Sequence, residues 1–181
     1  MKKLILFGDS LLANVNNYYA SVIESKAGVE VYNCATSGWN TDDGAKKSRY
    51  FSTLKPDFIL ISFGTNDSGS RNPVNLEKFR ENLQTISDNF CNTDKIYFIA
   101  PPIDEKQYQD TGSHLSSASI KSYADATKTF ALQNRSKIID SWEVFEPMLV
   151  SGQDFHDEDG VHFNDLGYEM LTNEIVKALT V

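Results

Sequence analysis

The feature that most constrains the fold is the alternation of short apolar runs with longer amphipathic segments along the 181 residues. The apolar runs are nearly continuous, which is typical of parallel strands covered by helices on both faces. They predict strands at residues 4–7, 29–32, 58–63, 96–100 and 137–140. The alternation therefore predicts a three-layer α/β/α sandwich around a parallel five-stranded sheet with right-handed crossovers.

Helical patterns fill the intervals between these runs. We expect helices at residues 11–26, 42–54, 76–90, 116–133 and 165–179, with a shorter one at 142–149. Thr41, Asn75 and Asn164 precede three of them and are typical N-caps. The intervals 64–75 and 101–115 carry no such pattern and are expected to be functional loops. Length and the lack of a repeat or linker predict one domain over residues 1–181.

Charge, the length of the apolar runs and cysteine content limit the expected partners and the expected location. The net charge of −8 makes nucleic acid an unlikely ligand, so none is expected. The apolar runs are strand-sized, so no membrane span is expected, and the run at 4–7 is too short for a signal peptide. Cys34 and Cys91 lack any metal or redox spacing, which favours free thiols and a cytoplasmic location.

Chemically useful residues follow four of the predicted strands. Ser10 follows the first strand, Gly38 the second and Asn66 the third, whereas Asp159 and His162 lie between the fifth strand and the last helix. The carboxyl ends of parallel strands meet at one edge of the sheet, where ligands of open α/β folds bind. The topology therefore predicts that these residues converge on one site.

The residue types suit acyl transfer from an ester. A serine such as Ser10 becomes a nucleophile when a neighbouring base removes its proton. His162 is a candidate base, and Asp159, three residues earlier, can hold its ring in the required tautomer. The Ser10 N–H, the Gly38 N–H and the Asn66 amide are three candidate donors for an oxyanion hole.

Each of these residues also has an ordinary structural explanation. Ser10 could simply cap a helix, Asn66 could form an Asx turn, and residues 159–160 form a frequent turn pair. Taken jointly, the residues favour catalysis over these separate explanations. Asp9 and Asp67 flank the candidate residues and are expected to accept hydrogen bonds from loop N–H groups.

Four segments in this order resemble the blocks of the SGNH hydrolase (GDSL esterase/lipase) superfamily: Gly-Asp-Ser-Leu at 8–11, Gly38, Gly-Thr-Asn-Asp at 64–67 and Asp-Gly-Val-His at 159–162. The resemblance covers almost the whole chain. It implies a flavodoxin-like sandwich, no cofactor, and hydrolysis of small-molecule esters or thioesters. It also implies that Ser10, Gly38, Asn66 and His162 are the four residues of the superfamily name.

The sequence thus predicts a serine esterase with the triad Ser10, Asp159 and His162, acting on short-chain, acetyl-type esters because the 101–115 loop is too polar to wrap a long acyl chain. The alternatives are a lysophospholipase or thioesterase of the same superfamily and a non-enzymatic flavodoxin-like binding module. A metal hydrolase would use the dense set His156, Asp157, Asp159 and His162, but this spacing matches no known metal motif, so no metal is expected.

Overall fold

The computed structural model describes residues 1–180, except for the side chain of Glu146. Its centre is a sheet of five parallel strands in the order β2-β1-β3-β4-β5. The strands are β1 Lys2–Gly8, β2 Val29–Asn33, β3 Phe58–Phe63, β4 Asp94–Ile99 and β5 Lys137–Ile139. This is the flavodoxin-like order, and it confirms the predicted fold class.

Helices cover both faces of the sheet. They are α1 Ser10–Ala13, α2 Asn17–Ala27, α3 Thr41–Phe51, α4 Thr65–Ser68, α5 Leu76–Asn89, α6 Ser117–Gln133, α7 Ser141–Ser151 and α8 Asp165–Thr180, with a 3₁₀ turn at Ser52–Leu54. Side chains of β1 alternate between two cores: Leu4 and Leu6 pack with α1, α2, α7 and α8, whereas Ile5 and Phe7 pack on α5 and α6. Burial on both faces explains the continuous apolar runs.

The predicted helix at 11–26 is wrong in one respect, because the structure divides it into α1 and α2. The Asn16 side chain accepts hydrogen bonds from the N–H groups of Tyr18 and Tyr19 and so starts a new helix. An asparagine that caps a helix satisfies N–H groups that the first turn leaves unpaired. The short helix α1 ends at Ala13, with Asn14 as its C-cap.

The predicted N-cap Thr41 is also wrong, since Asn40 caps α3 and forms a capping box with Asp43. Asn75 caps α5 as predicted, and Asn164 accepts from the Gly167 N–H at the start of α8. The segment predicted as a loop at 64–75 contains the short helix α4. No described helix is both long and apolar enough to cross a membrane.

Candidate active site

The turn after β1 presents Ser10 at the carboxyl edge of the sheet. β1 and β3 run side by side, and a Cβ on Gly8 would lie 2.2 Å from the Ser62 carbonyl oxygen, so only glycine allows this close approach. Asp9 then donates its N–H to the Ser62 carbonyl and caps α1 by accepting from the Leu11 N–H at 3.1 Å. These bonds fix Ser10 as the first residue of the helix.

A second turn, just before α8, presents His162. The Asp159 Oδ1 atom accepts hydrogen bonds from the N–H groups of Val161 and His162, both at 2.9 Å. Gly160 adopts φ +71°, and its backbone packs so closely on residues 104–108 that a Cβ would lie 2.7 Å from the Asp104 oxygen. The turn is thus held by its own carboxylate and by the segment that follows β4.

The two turns bring Ser10, His162 and Asp159 into one hydrogen-bonded chain. The Ser10 Oγ atom lies 2.8 Å from Nε2 of His162, and Nδ1 of His162 lies 2.5 Å from Oδ2 of Asp159. A carboxylate can only accept here, so Nδ1 carries the proton and Nε2 is free to accept from the serine hydroxyl. Partial burial raises the pKa of Asp159. Hydrogen bonds from the ring and the backbone N–H of His162 have a larger opposite effect, so the pKa lies below its usual range.

Asn66 and Gly38 lie in two neighbouring connections, after β3 and β2. The Asn66 Nδ2 atom donates to the Trp39 carbonyl at 2.8 Å, which occupies one of its two hydrogens and fixes the amide beside the turn that contains Gly38. Gly38 adopts φ +82°, and a Cβ there would meet open space. In the described part of the chain, the Ser10 and Gly38 N–H groups donate no hydrogen bond. Three donors therefore remain available at this edge.

Asp67 braces the connection that carries Asn66. Its Oδ1 accepts from the N–H and the hydroxyl of Thr41, and its Oδ2 accepts from the Gly64 N–H at 3.1 Å. Burial raises its pKa to about 6, although these hydrogen bonds favour the ionised form. Asp67 thus joins the turn after β3 to the start of α3. Asp9 and Asp67 both accept from backbone N–H groups, although the partner of Asp9 is Leu11 in α1 and not a loop residue.

We expect Asp9 to give the protein an unusual dependence of stability on pH. Its side chain is fully buried, Oδ2 has no partner among the described residues, and burial raises its pKa to about 7. Between pH 4 and 7 the folded protein holds a proton that the unfolded chain has lost, so stability falls as pH rises. We expect the melting temperature, measured by calorimetry, to fall by roughly 5–10 °C from pH 5 to pH 8 through this group.

The comparison of two variants isolates this effect. Asp9→Asn keeps the acceptor for Leu11 but cannot ionise, so its melting temperature should vary less with pH than that of the wild type. The exposed carboxylate of Asp88 is the matched control, and Asp88→Asn should keep the wild-type slope. Equal slopes for the wild type and Asp9→Asn would show that Asp9 is not protonated in the folded state.

The surroundings of the serine are open. Side-chain exposure is 30% for His162 and 51% for Asp159. A cavity of about 550 Å³ lies beside Lys121 and Trp142, and another of about 610 Å³ lies at the amino ends of the strands; neither is lined by Ser10. Phe155 is a core residue packed on Phe145 and Phe163 and is not a wall of the open site. The half-buried Trp39 packs on Phe7 and Phe51.

The four residues considered as a metal set do not converge. The His162 ring lies between Ser10 and Asp159, whereas the His156 ring is buried with Nε2 against the Pro102 carbonyl oxygen at 3.0 Å. Burial lowers the pKa of His156, so its ring is neutral near pH 7. Two separate environments thus replace the single cluster that the sequence allowed.

Some supporting groups carry no sequence signal. The Trp39 carbonyl orients Asn66, and the Asp104 N–H donates to the Gly160 carbonyl at 2.8 Å, which joins the 101–115 loop to the turn before His162. Both groups are backbone atoms, so the residue types at positions 39 and 104 do not reveal them. The signal in the sequence is limited to the glycines that permit the close approach.

The chain is similar to known proteins over most of its length. The model of the GDSL-like lipase/acylhydrolase family matches residues 6–170. A GDSL esterase/lipase of Arabidopsis thaliana is 26% identical over 164 residues, which cover 79% of this chain. The chain spans about half the length of that relative, at 51%.

Solved structures with the same fold include a lipase/acylhydrolase from Enterococcus faecalis, with 27% identity, a TM-score of 0.86 and coverage of 98% of this chain and 94% of that one. An acetyl xylan esterase, with 18% identity, has a TM-score of 0.81 and covers 97% of this chain and 98% of its own. At such identity the second likeness shows the fold alone. The family match and the first likeness confirm the predicted superfamily.

Proposed function

The chain belongs to the GDSL-like lipase/acylhydrolase family, and we propose that it is a serine esterase that hydrolyses short-chain carboxylic esters of small molecules. The observation that carries this proposal is the continuous hydrogen-bonded chain from Ser10 through His162 to Asp159. It supplies a nucleophile, a base and an orienting carboxylate at distances that allow proton transfer.

In the acylation step, the Ser10 Oγ atom attacks the ester carbonyl carbon while its proton passes to Nε2 of His162. The imidazolium that forms is stabilised by Asp159, which stays ionised. The carbonyl oxygen becomes an oxyanion. As the tetrahedral intermediate collapses, the carbon–oxygen bond to the alcohol breaks, and His162 gives its proton to the leaving oxygen.

Deacylation repeats these steps with water as the nucleophile. Water loses a proton to Nε2 of His162 and attacks the acyl carbon, and the intermediate expels the Ser10 oxygen, which recovers the proton from the ring. The open surroundings of His162, whose side chain is 30% exposed, leave room for this water. No group other than the chain's own side chains is needed for proton balance.

We assign the oxyanion to the N–H groups of Ser10 and Gly38 and the second Nδ2 hydrogen of Asn66. Asn66→Ala removes one donor whose orientation the Trp39 carbonyl fixes, so kcat should fall about 10²- to 10³-fold with little change in KM. Steady-state kinetics with p-nitrophenyl acetate measure this. The exposed Asn92 lies at the amino edge of the sheet, and Asn92→Ala should keep the wild-type kcat. Unchanged turnover in Asn66→Ala would remove Asn66 from the oxyanion hole.

The preference for short acyl chains rests on the shape and polarity of the site. Cavities of about 550 and 610 Å³ lie away from Ser10, and a long acyl tail gains affinity only where apolar walls cover it. The 101–115 loop binds its own polar side chains, with Asp110 accepting from the N–H groups of residues 112–114. A loop tied in this way offers little apolar surface to a lipid.

A chain-length series tests the proposed substrate class. With p-nitrophenyl esters from acetate to palmitate, kcat/KM should be highest for acetate or butyrate and should fall for longer chains. The Ser10→Ala variant measures the background rate of ester hydrolysis without the nucleophile. A kcat/KM that climbs steadily to palmitate would favour the lysophospholipase alternative, and faster cleavage of acyl thioesters than of matched oxygen esters would favour a thioesterase.

The unpaired cysteines Cys34 and Cys91 suit the reducing cytoplasm that we propose as the location of the enzyme.

A further inference from the structure

A second cluster of ligating side chains lies behind the catalytic turn. Asp104 comes from the segment after β4, whereas Asp154 and His156 come from the segment before α8. One ligand atom of each residue lies within 4.8 Å of the other two. The cluster joins two segments about 50 residues apart, and the proposed reaction uses none of its members.

His156 supplies a lone pair that no described residue satisfies. Its side chain is 0% exposed, and its Nε2 atom faces the Pro102 carbonyl oxygen at 3.0 Å. A carbonyl can only accept, so Nε2 carries the hydrogen and Nδ1 of the neutral ring has a free lone pair. Nδ1 is buried, has no hydrogen-bond partner in the described part of the chain, and lies 3.9 Å from Oδ1 of Asp154. A buried acceptor without a partner is costly, so a ligand that binds Nδ1 would stabilise the folded chain.

The two carboxylates are oriented by hydrogen bonds but are not neutralised. Oδ1 of Asp104 accepts from the Lys106 N–H, and Oδ2 of Asp154 accepts from the Gln107 amide at 2.8 Å. In residues 1–180, no lysine or arginine side chain forms an ion pair with either carboxylate. The Asp154 side chain is 47% exposed, so a cation can reach the cluster from solvent.

From these observations we propose that Asp104, Asp154 and Nδ1 of His156 bind a divalent cation of the Zn²⁺ type. One imidazole nitrogen and two carboxylate oxygens suit such an ion, with water completing the tetrahedron. The ligand atoms of a tetrahedral zinc site lie about 3.4 Å apart. The three side chains would therefore move towards one another by roughly an ångström when the ion binds. The Pro102 carbonyl then holds the ligating ring from behind, as the outer partners of metal-bound histidines do.

The bound ion would act on stability rather than on the chemical step. It would join the segment after β4 to the segment that carries Asp159 and His162, which already meet through the Asp104 N–H and the Gly160 carbonyl. A ligand that binds only the folded chain stabilises it in proportion to its saturation. The ion is therefore expected to raise the melting temperature.

Calorimetry on the purified full chain, first treated with a chelator, tests the site. Titration with Zn²⁺ at pH 7.5 should show one ion per chain, and the melting temperature should rise by roughly 5–10 °C when free Zn²⁺ is 100-fold above Kd. Asp104→Asn, Asp154→Asn and His156→Gln should each weaken binding at least about tenfold. Glu158→Gln, which removes an exposed carboxylate on the same segment, should bind as the wild type.

The catalytic histidine is a rival ligand for zinc, and one more variant separates the two sites. His162→Gln should keep the Zn²⁺-dependent rise in melting temperature if the ion binds at Asp104, Asp154 and His156. Absence of binding to the wild type would overturn the proposal. So would a shift that survives in Asp154→Asn or disappears in His162→Gln. Because Asp154 is exposed, Asp154→Asn tests the site even if His156→Gln fails to fold.

Discussion

Ser10→Ala should lower kcat for p-nitrophenyl acetate by about 10⁵- to 10⁶-fold, the loss expected when the nucleophile of a cooperating triad is removed. The melting temperature should fall by no more than a few degrees. The substitution removes one hydroxyl with one hydrogen bond to the partly exposed His162, whereas the cap of α1 belongs to Asp9 and is kept. Steady-state kinetics and calorimetry on the same preparation measure both quantities.

The control is a serine outside the site. The Ser21 hydroxyl, on the exposed side of α2, donates to the Asn17 carbonyl, so Ser21→Ala should keep the wild-type kcat. A Ser10→Ala enzyme that retains more than a few per cent of the wild-type turnover would contradict the proposed mechanism. A collapse of the melting temperature would mean instead that Ser10 is mainly structural.

Asp159→Asn should lower kcat by about 10⁴-fold, which is the second-largest effect that we expect. The amide can still accept from the backbone N–H groups of Val161 and His162, so the turn is preserved. Its nitrogen cannot accept the Nδ1 hydrogen, however, so His162 takes the opposite tautomer and its Nε2 no longer accepts from Ser10. The measurement is kcat with p-nitrophenyl acetate, beside a crystal structure or NMR spectrum that confirms the turn.

Asp157 supplies the matched comparison, since it is an exposed carboxylate two residues earlier in the same segment. Its Oδ1 accepts from the Glu158 N–H, which an asparagine can also do, so Asp157→Asn should be close to wild type. If Asp157→Asn were the damaging variant and Asp159→Asn the neutral one, the orienting carboxylate would have been misassigned.

Much of the fold follows from local patterns. The strand at 58–63 agrees with the structure because a run buried on both faces leaves no ambiguity about its ends. The break between α1 and α2 was not predicted because the apolar spacing continues through it. The Asn16 side chain starts α2 by accepting from the N–H groups of Tyr18 and Tyr19, and such a cap changes the free energy of the helix only slightly.

The catalytic side chains of the candidate site could be predicted from the sequence, but the backbone contacts that position them could not. Ser10, Asp159 and His162 were expected together because parallel strands bring their carboxyl ends to one edge, and the structure places the three side chains in contact. The bond from Asn66 to the Trp39 carbonyl and the contact of Asp104 with Gly160 depend on tertiary approach of backbone atoms. No spacing in the sequence encodes those contacts.

The most direct test of the mechanism is covalent labelling of the intact enzyme with a serine-directed organophosphate, followed by mass spectrometry. An activated serine should take up one label per chain, peptide mapping should place that label on Ser10, and the extent of labelling should match the loss of esterase activity. Ser10→Ala should remain unlabelled. Labelling of a different residue, or an unlabelled wild-type enzyme that still hydrolyses esters, would contradict the assignment of Ser10 as the nucleophile.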